Sequence, residues 1–142
     1  MKNIDLQLTA NEKAILRTKG ITRKVLLGYA TDEIITALEA HGNRARQLQA
    51  LIEFQRIPSI GIMFARDLMR AGYYSLDSLK HRPGAELFDE FEKMNGYHTD
   101  PCVEDQFRLV VHYANNPGSN KKWWDFTEER KAYRELHPYK LS

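Results

Sequence analysis

The stretch Ile57-Pro58-Ser59-Ile60-Gly61 sits between two segments striped with apolar residues. Proline fixes one backbone angle and ends a preceding helix. Glycine lacks a Cβ, so it takes unusual angles and lets a ligand approach the main chain. A helix that begins at this turn leaves the amides of Gly61, Ile62 and Met63 without intrahelical partners. Their partial positive charge suits an anion, and phosphate first of all. Arg66 stands one turn further on and adds a charge-assisted contact, and Arg70 shares its face. The expected contact set is therefore Pro58, Ser59, Ile60, Gly61, Ile62, Met63, Arg66 and Arg70. A phosphate held in this way is bound without regard to base identity.

Other capable groups are sparser. His98 and Cys102 lie four apart, but Pro101 and a helix cap intervene, and His112 is isolated, so the four paired ligands of a zinc site are missing. No metal is expected. Cys102 near a helix N-terminus is a candidate for a lowered thiol pKa. Glu86, Asp89, Glu90 and Glu92 read as a solvated helix surface. Trp123 and Trp124 follow Lys121 and Lys122 directly. Two readings stand for this pair: base stacking, or one ring in the core and the other over a groove. No nucleophile, acid–base pair or metal cluster makes a catalytic constellation, so no enzyme activity is expected.

The elements that must position these groups are helical. Polar, capped segments with apolar residues three and four apart recur, and strand-like alternation is nearly absent. Helices are expected over 10–19, from 31–33 to Gly42, from Asn43 to the turn, and from the turn to Ala71. Further helices are expected from Pro83 to Met94, from Asp100-Pro101 through Val103, Phe107, Val110, Val111 and Ala114, and over 128–136 with Thr127 as cap. A short capped turn is expected over 75–79, and residues 115–120 break the chain. The fold class is all-α, a multi-helix domain built around one helical hairpin. Residues 1–42 read as an N-terminal helical segment or subdomain, and 43–142 as the hairpin domain.

Composition sets the outer limits. The chain has 142 residues with seven Tyr, six Phe and two Trp, enough for a real core. No apolar run approaches the roughly 20 residues that span a bilayer. The opening MKNIDLQLTANEK lacks the apolar centre of a signal peptide, and one cysteine allows no internal disulfide. A cytoplasmic protein without a membrane partner is expected. The net charge of +2 implies no partner by itself, but its distribution is uneven. Residues 43–82 hold seven bases and three acids, 84–105 one base and seven acids, and 106–142 seven bases and four acids. Phosphate steering requires Arg44, Arg46, Arg66 and Arg70 to converge on the hairpin side.

The turn resembles the helix-hairpin-helix motif of DNA repair and recombination proteins. Ile57, Pro58, Ser59, Ile60 and Gly61 match it, followed by Ala65 and Leu68. Ser59 replaces the motif's first Gly, and Met63 stands where Lys or Arg is common. The resemblance implies hairpin amides on one DNA strand and carbonyls that seat a monovalent cation; no other cofactor is implied. Glycosylases that carry this hairpin place a catalytic Asp shortly beyond its second helix. Here Asp100 stands 39 positions past Gly61, so that activity is not expected.

A broader resemblance covers residues 50–130. It rests on the hairpin with Asp67-Leu68, Gly72, residues 75–79, Asp100-Pro101-Cys102-Val103, Arg108, Tyr113-Ala114-Asn115-Asn116-Pro117 and Lys122-Trp123-Trp124. In these blocks the chain is similar to the bacterial pathogenicity locus family, some of whose members carry mitomycin-resistance labels. The resemblance implies a helix-hairpin-helix protein that binds DNA without sequence specificity, in repair or damage tolerance. The alternative is a non-catalytic module that uses the same hairpin as a scaffold for a protein partner.

Overall fold

Phe107 is the residue on which three helices meet. Its ring lies edge-on to Phe64 with centroids 4.9 Å apart, and it also contacts Phe91 at 5.4 Å and Phe88 at 6.4 Å. Such pairs add about 0.5–1.5 kcal/mol each beyond burial. The computed structural model describes residues 3–140. The outermost residues of the two expected segments, Met1, Lys2, Leu141 and Ser142, lie outside the described residues.

Among the described residues every regular element is helical. They are α1 (Ala10–Lys19), α2 (Arg23–Leu26), α3 (Thr31–Leu38), α4 (Gly42–Gln55), α5 (Ile62–Arg70), α6 (Gly84–Asn95), α7 (Pro101–Asn115) and α8 (Thr127–Leu136). Two 3-10 turns, Asp77–Leu79 and Trp123–Phe126, complete the set. The fold is compact and all-α.

Local chemistry accounts for most of the boundaries. Thr9 and Glu12 form a reciprocal capping box at the start of α1, and Gly20 ends it with φ 68°. Asp100 caps α7 by accepting from the Cys102 N–H, with Pro101 in the first turn. Gly96 closes α6 in the left-handed region. Two expectations differ, and one further helix is not among those expected. α2 has only four residues, too few for an apolar period to show, although the Thr22 hydroxyl caps it. α3 stops at Leu38 rather than reaching Gly42, because Glu39 takes φ 54°. Thr127 does not cap α8: its hydroxyl donates to Asp105 Oδ2 at 2.9 Å.

One contiguous cluster of buried side chains runs through the molecule. Ile4, Leu6, Leu16, Leu26 and Ile34 from the N-terminal segment join Phe54, Ile57, Ile60, Phe64, Phe88 and Phe107. Gln55 adds a polar tie. Its Nε2 donates to the Asp5 carbonyl at 2.6 Å and its Oε1 accepts from the Asp5 N–H at 3.0 Å. Glu12 is buried and pairs with Arg44 at 2.8 Å.

α6 and α7 approach unusually closely. A Cβ at Gly84 would stand 2.6 Å from the Arg108 Cα, inside any permitted contact. α8 is attached differently. None of its residues is buried, and arginines hold it to α6 and α7. Arg130 Nε donates to Asp105 Oδ1 at 2.8 Å, Arg134 Nε to Glu104 Oε1 at 2.8 Å, and Arg134 Nη2 to Asp89 Oδ1 at 3.0 Å. Glu104 and Asp105 are fully buried. Burial of charges is tolerated only with such pairing.

Candidate functional site

The turn between α4 and α5 is anchored from below by two side chains three residues apart. Ile57 and Ile60 are completely buried, which leaves the backbone around Gly61 facing outward. α4 supplies one wall, and Phe64, Ala65 and Leu68 bury the inner face of α5. Its outer face carries Met63, Arg66 and Arg70, and Met63 is 72% exposed. Met63, Arg66, Asp67, Met69 and Arg70 line a groove of about 300 Å³.

The N-terminus of α5 has no side-chain cap, and Gly61 is exposed. The first amides of this helix therefore face solvent with their partial positive charge. No side chain caps the starts of α3, α4, α6 and α8 either. In α6 the approach of Arg108 closes the end, and at α4 the neighbouring Arg44 is committed to Glu12. On α5, Arg66 stands about one turn in from the N-terminus, is exposed and, among the described residues, has no carboxylate in ion-pair range.

Two backbone details correct the reading from sequence. Gly61 has φ −107° and ψ −171°, ordinary extended geometry that any residue adopts, and a Cβ there would meet nothing within 4 Å. The strained position is Ser59, with φ 66°. A non-glycine residue in the left-handed region costs about 1–2 kcal/mol. The Ser59 hydroxyl oxygen accepts from the Trp123 N–H at 3.0 Å and so fastens the turn to a segment 64 positions away.

The arginines divide. Arg66 and Arg70 flank the groove, although Arg70 is partly engaged by Asn95 Oδ1 at 2.8 Å and Asp67 at 3.4 Å. Arg44 is withdrawn to Glu12, whose carboxyl it holds below the usual range chiefly through the hydrogen bond between them. Arg46 stacks on Tyr74 at 4.2 Å. The convergence posed from sequence thus holds for two of the four.

The remaining capable residues scatter. His98 Nδ1 lies 3.4 Å from Glu92 Oε2, while His112 Nε2 lies 3.1 Å from Ser119 Oγ with its ring against Phe126. Burial, then Lys121, lowers the His112 pKa. The Cys102 thiol is pushed up rather than down, first by burial and then by the Asp100 carboxylate. The acidic face of α6 is only half solvated. Glu86 and Glu90 are exposed and pair with Arg82. Glu92 is buried and accepts from the Thr99 N–H at 2.6 Å, and Asp89 is taken by Arg134. The two tryptophans split: Trp123 is half-buried against the core, and Trp124 is 52% exposed.

Sequence reasoning overlooked two parts of this region. The left-handed angle at Ser59 had a signal, since the matching hairpin position is glycine elsewhere. The Ser59–Trp123 bond had none, because nothing local links positions so far apart.

No helix of the described residues is long and apolar enough to cross a membrane. Comparison with curated proteins finds no match, and comparison with solved structures finds none. The family described as Cdd1, pathogenicity locus, matches residues 47–132. That span starts within α4, contains the turn, the Phe107 cluster and both tryptophans, and ends within α8. With well over half of its length and its central helices accounted for in this way, the chain belongs to the pathogenicity locus family.

Proposed function

We propose that residues 57–63 form a helix-hairpin-helix that docks a DNA backbone phosphate, making this a non-catalytic, sequence-independent DNA-binding protein of repair or damage tolerance. The observation that carries the reading is Gly61. Neither its backbone angles nor its neighbours require glycine, yet it stands at an exposed, uncapped helix start. What a side chain there would obstruct is an incoming ligand. The amides of Gly61, Ile62 and Met63 receive the phosphate, Arg66 adds a charge-assisted bond, and Arg70 a longer-range attraction. Pro58, Ser59 and Ile60 hold the turn in shape.

The test is Gly61→Asp. Aspartate is a better N-cap than glycine and favours the positive end of the helix, so stability should stay level or rise by a few tenths of a kcal/mol. The same carboxylate occupies the anion seat. Anisotropy titrations of a blunt duplex should then show affinity reduced by about tenfold or more, equivalent to about 1.4 kcal/mol. For the unmodified chain the logarithm of affinity against that of salt should have a slope of about −2 to −3, the release from two or three phosphates. Unchanged affinity in a folded Gly61→Asp protein overturns the reading.

Met63 favours a second reading, a protein-interaction module. A side chain 72% exposed beside a groove of about 300 Å³ fits an apolar anchor from a partner protein. Absence of duplex binding at low salt would favour this reading.

A further inference from the structure

We infer that Trp124 and Lys122 form a stacking seat for an unpaired base beside the hairpin, so that duplex with a single-stranded extension is the preferred ligand; this rests on the hairpin reading above. The Trp123–Phe126 turn is tied to the hairpin by the Trp123 N–H donating to Ser59 Oγ at 3.0 Å. It is also closed on itself, since Asp125 Oδ2 accepts from the Lys122 N–H at 2.8 Å. Trp123 packs against the core, and its ring meets Trp124 edge-to-face, with centroids 5.4 Å apart and planes at 85°. The Trp124 indole is thereby held in a defined orientation while half of it stays open to solvent. A rigid, exposed aromatic face is what an unstacked base requires.

Charge around the ring matches a nucleic acid. Lys122 Nζ lies 5.9 Å from the Trp124 centroid, and Lys121 Nζ lies 5.5 Å from that of Phe126. Among the described residues no carboxylate is in ion-pair range of either ammonium. The acids nearest in sequence are engaged: Asp125 on the Lys122 N–H, Glu128 with Lys131 at 3.7 Å, and Glu129 with Arg108 at 3.0 Å. The Lys122 ammonium, which lies over one part of a half-open indole, suits a base on the ring and its phosphate on the ammonium, with Lys121 one residue back adding to the positive field. The hairpin amides hold the paired portion, and the indole receives the first base beyond it.

The experiment compares a blunt duplex with the same duplex carrying a short thymine extension, using the unmodified chain, Trp124→Ala and Trp124→Phe. Circular dichroism checks that each is folded. The extended duplex should bind the unmodified chain more tightly, by between about fivefold and a hundredfold. Trp124→Ala should abolish this preference and leave blunt-duplex affinity unchanged, while Trp124→Phe keeps most of it. Tryptophan emission should be quenched by the extended duplex in the unmodified chain and not in Trp124→Phe, where Trp123 remains. Equal affinity of the unmodified chain for the two duplexes overturns the inference, as does a preference that survives Trp124→Ala. Concentration-dependent self-association that Trp124→Ala removes also overturns it, by assigning the ring to a second copy. Gly61→Asp separates the two readings. If it spares the blunt duplex, the hairpin reading fails by itself, and the Trp124 variants still decide the preference for the extension.

Discussion

Ser59 does two opposed things. Its φ of 66° strains the backbone, and its hydroxyl satisfies the Trp123 N–H. Replacing it separates the effects. Ser59→Ala keeps the strain and strands an amide, and should cost about 1–2 kcal/mol in urea denaturation. Ser59→Gly loses the same bond but relieves the left-handed penalty, and should be the more stable of the two by about 1 kcal/mol. The reverse order would mean that the angle carries no strain. The departure from glycine that the sequence exposes at this position is therefore a substitution of one device for another. Cys102 shows the limit of reading single residues. A place near a helix N-terminus suggests a lowered thiol pKa, but burial and the Asp100 carboxylate outweigh the helix end and raise it.

At the scale of elements, caps and periods located most helices. Gly20, Gly96 and Asp100-Pro101 are local signals, and each sits where its helix begins or ends. What stayed illegible depended on distant partners. The apolar stripe of α7 finds Phe107, Val110 and Ala114 buried, but Glu104 and Asp105 are buried with them, because arginines on α8 come to meet them. A helix with no buried residue is fixed by ion pairs instead of apolar area. Arg130→Met should leave Asp105 with the Thr127 hydroxyl alone and cost about 3 kcal/mol or more. Native-state hydrogen exchange should register this as faster opening of α8 in particular. An effect below about 1 kcal/mol would place Asp105 in water rather than in the interior.

For the whole molecule, the alternation of basic and acidic blocks along the chain is largely cancelled internally. Arg130 and Arg134 from the last block neutralise Asp89, Glu104 and Asp105 from the middle one. Sequence counting sees the excess of each block but not which charges are already spent, and so it places Arg44 beside Arg66 although Arg44 belongs to Glu12. Among the cations that no carboxylate neutralises in the described residues, those beside the groove and on the Trp123–Phe126 turn are Arg66, Lys121 and Lys122, with Arg70 partly engaged. Residues 3–41 share the same buried cluster as the hairpin through Ile4, Leu6, Leu16, Leu26 and Ile34. A chain that starts at Asn43 exposes the surfaces those side chains cover. It should lose its cooperative thermal transition and bind an apolar dye such as ANS. A sharp transition in that fragment would show that 43–142 folds independently.

Gly84 and Gly61 are the same letter under two unrelated constraints. The first is imposed from within, since any larger residue would force the α6–α7 crossing apart at Arg108. Nothing within the folded chain imposes the second, since there is room for a side chain there. In descendants that keep this architecture, retention of glycine at 84 is a record of ancestry in shape. On the proposed reading, retention at 61 would record selection by the docked phosphate, and a lineage that gave up that ligand would be free to lose the glycine.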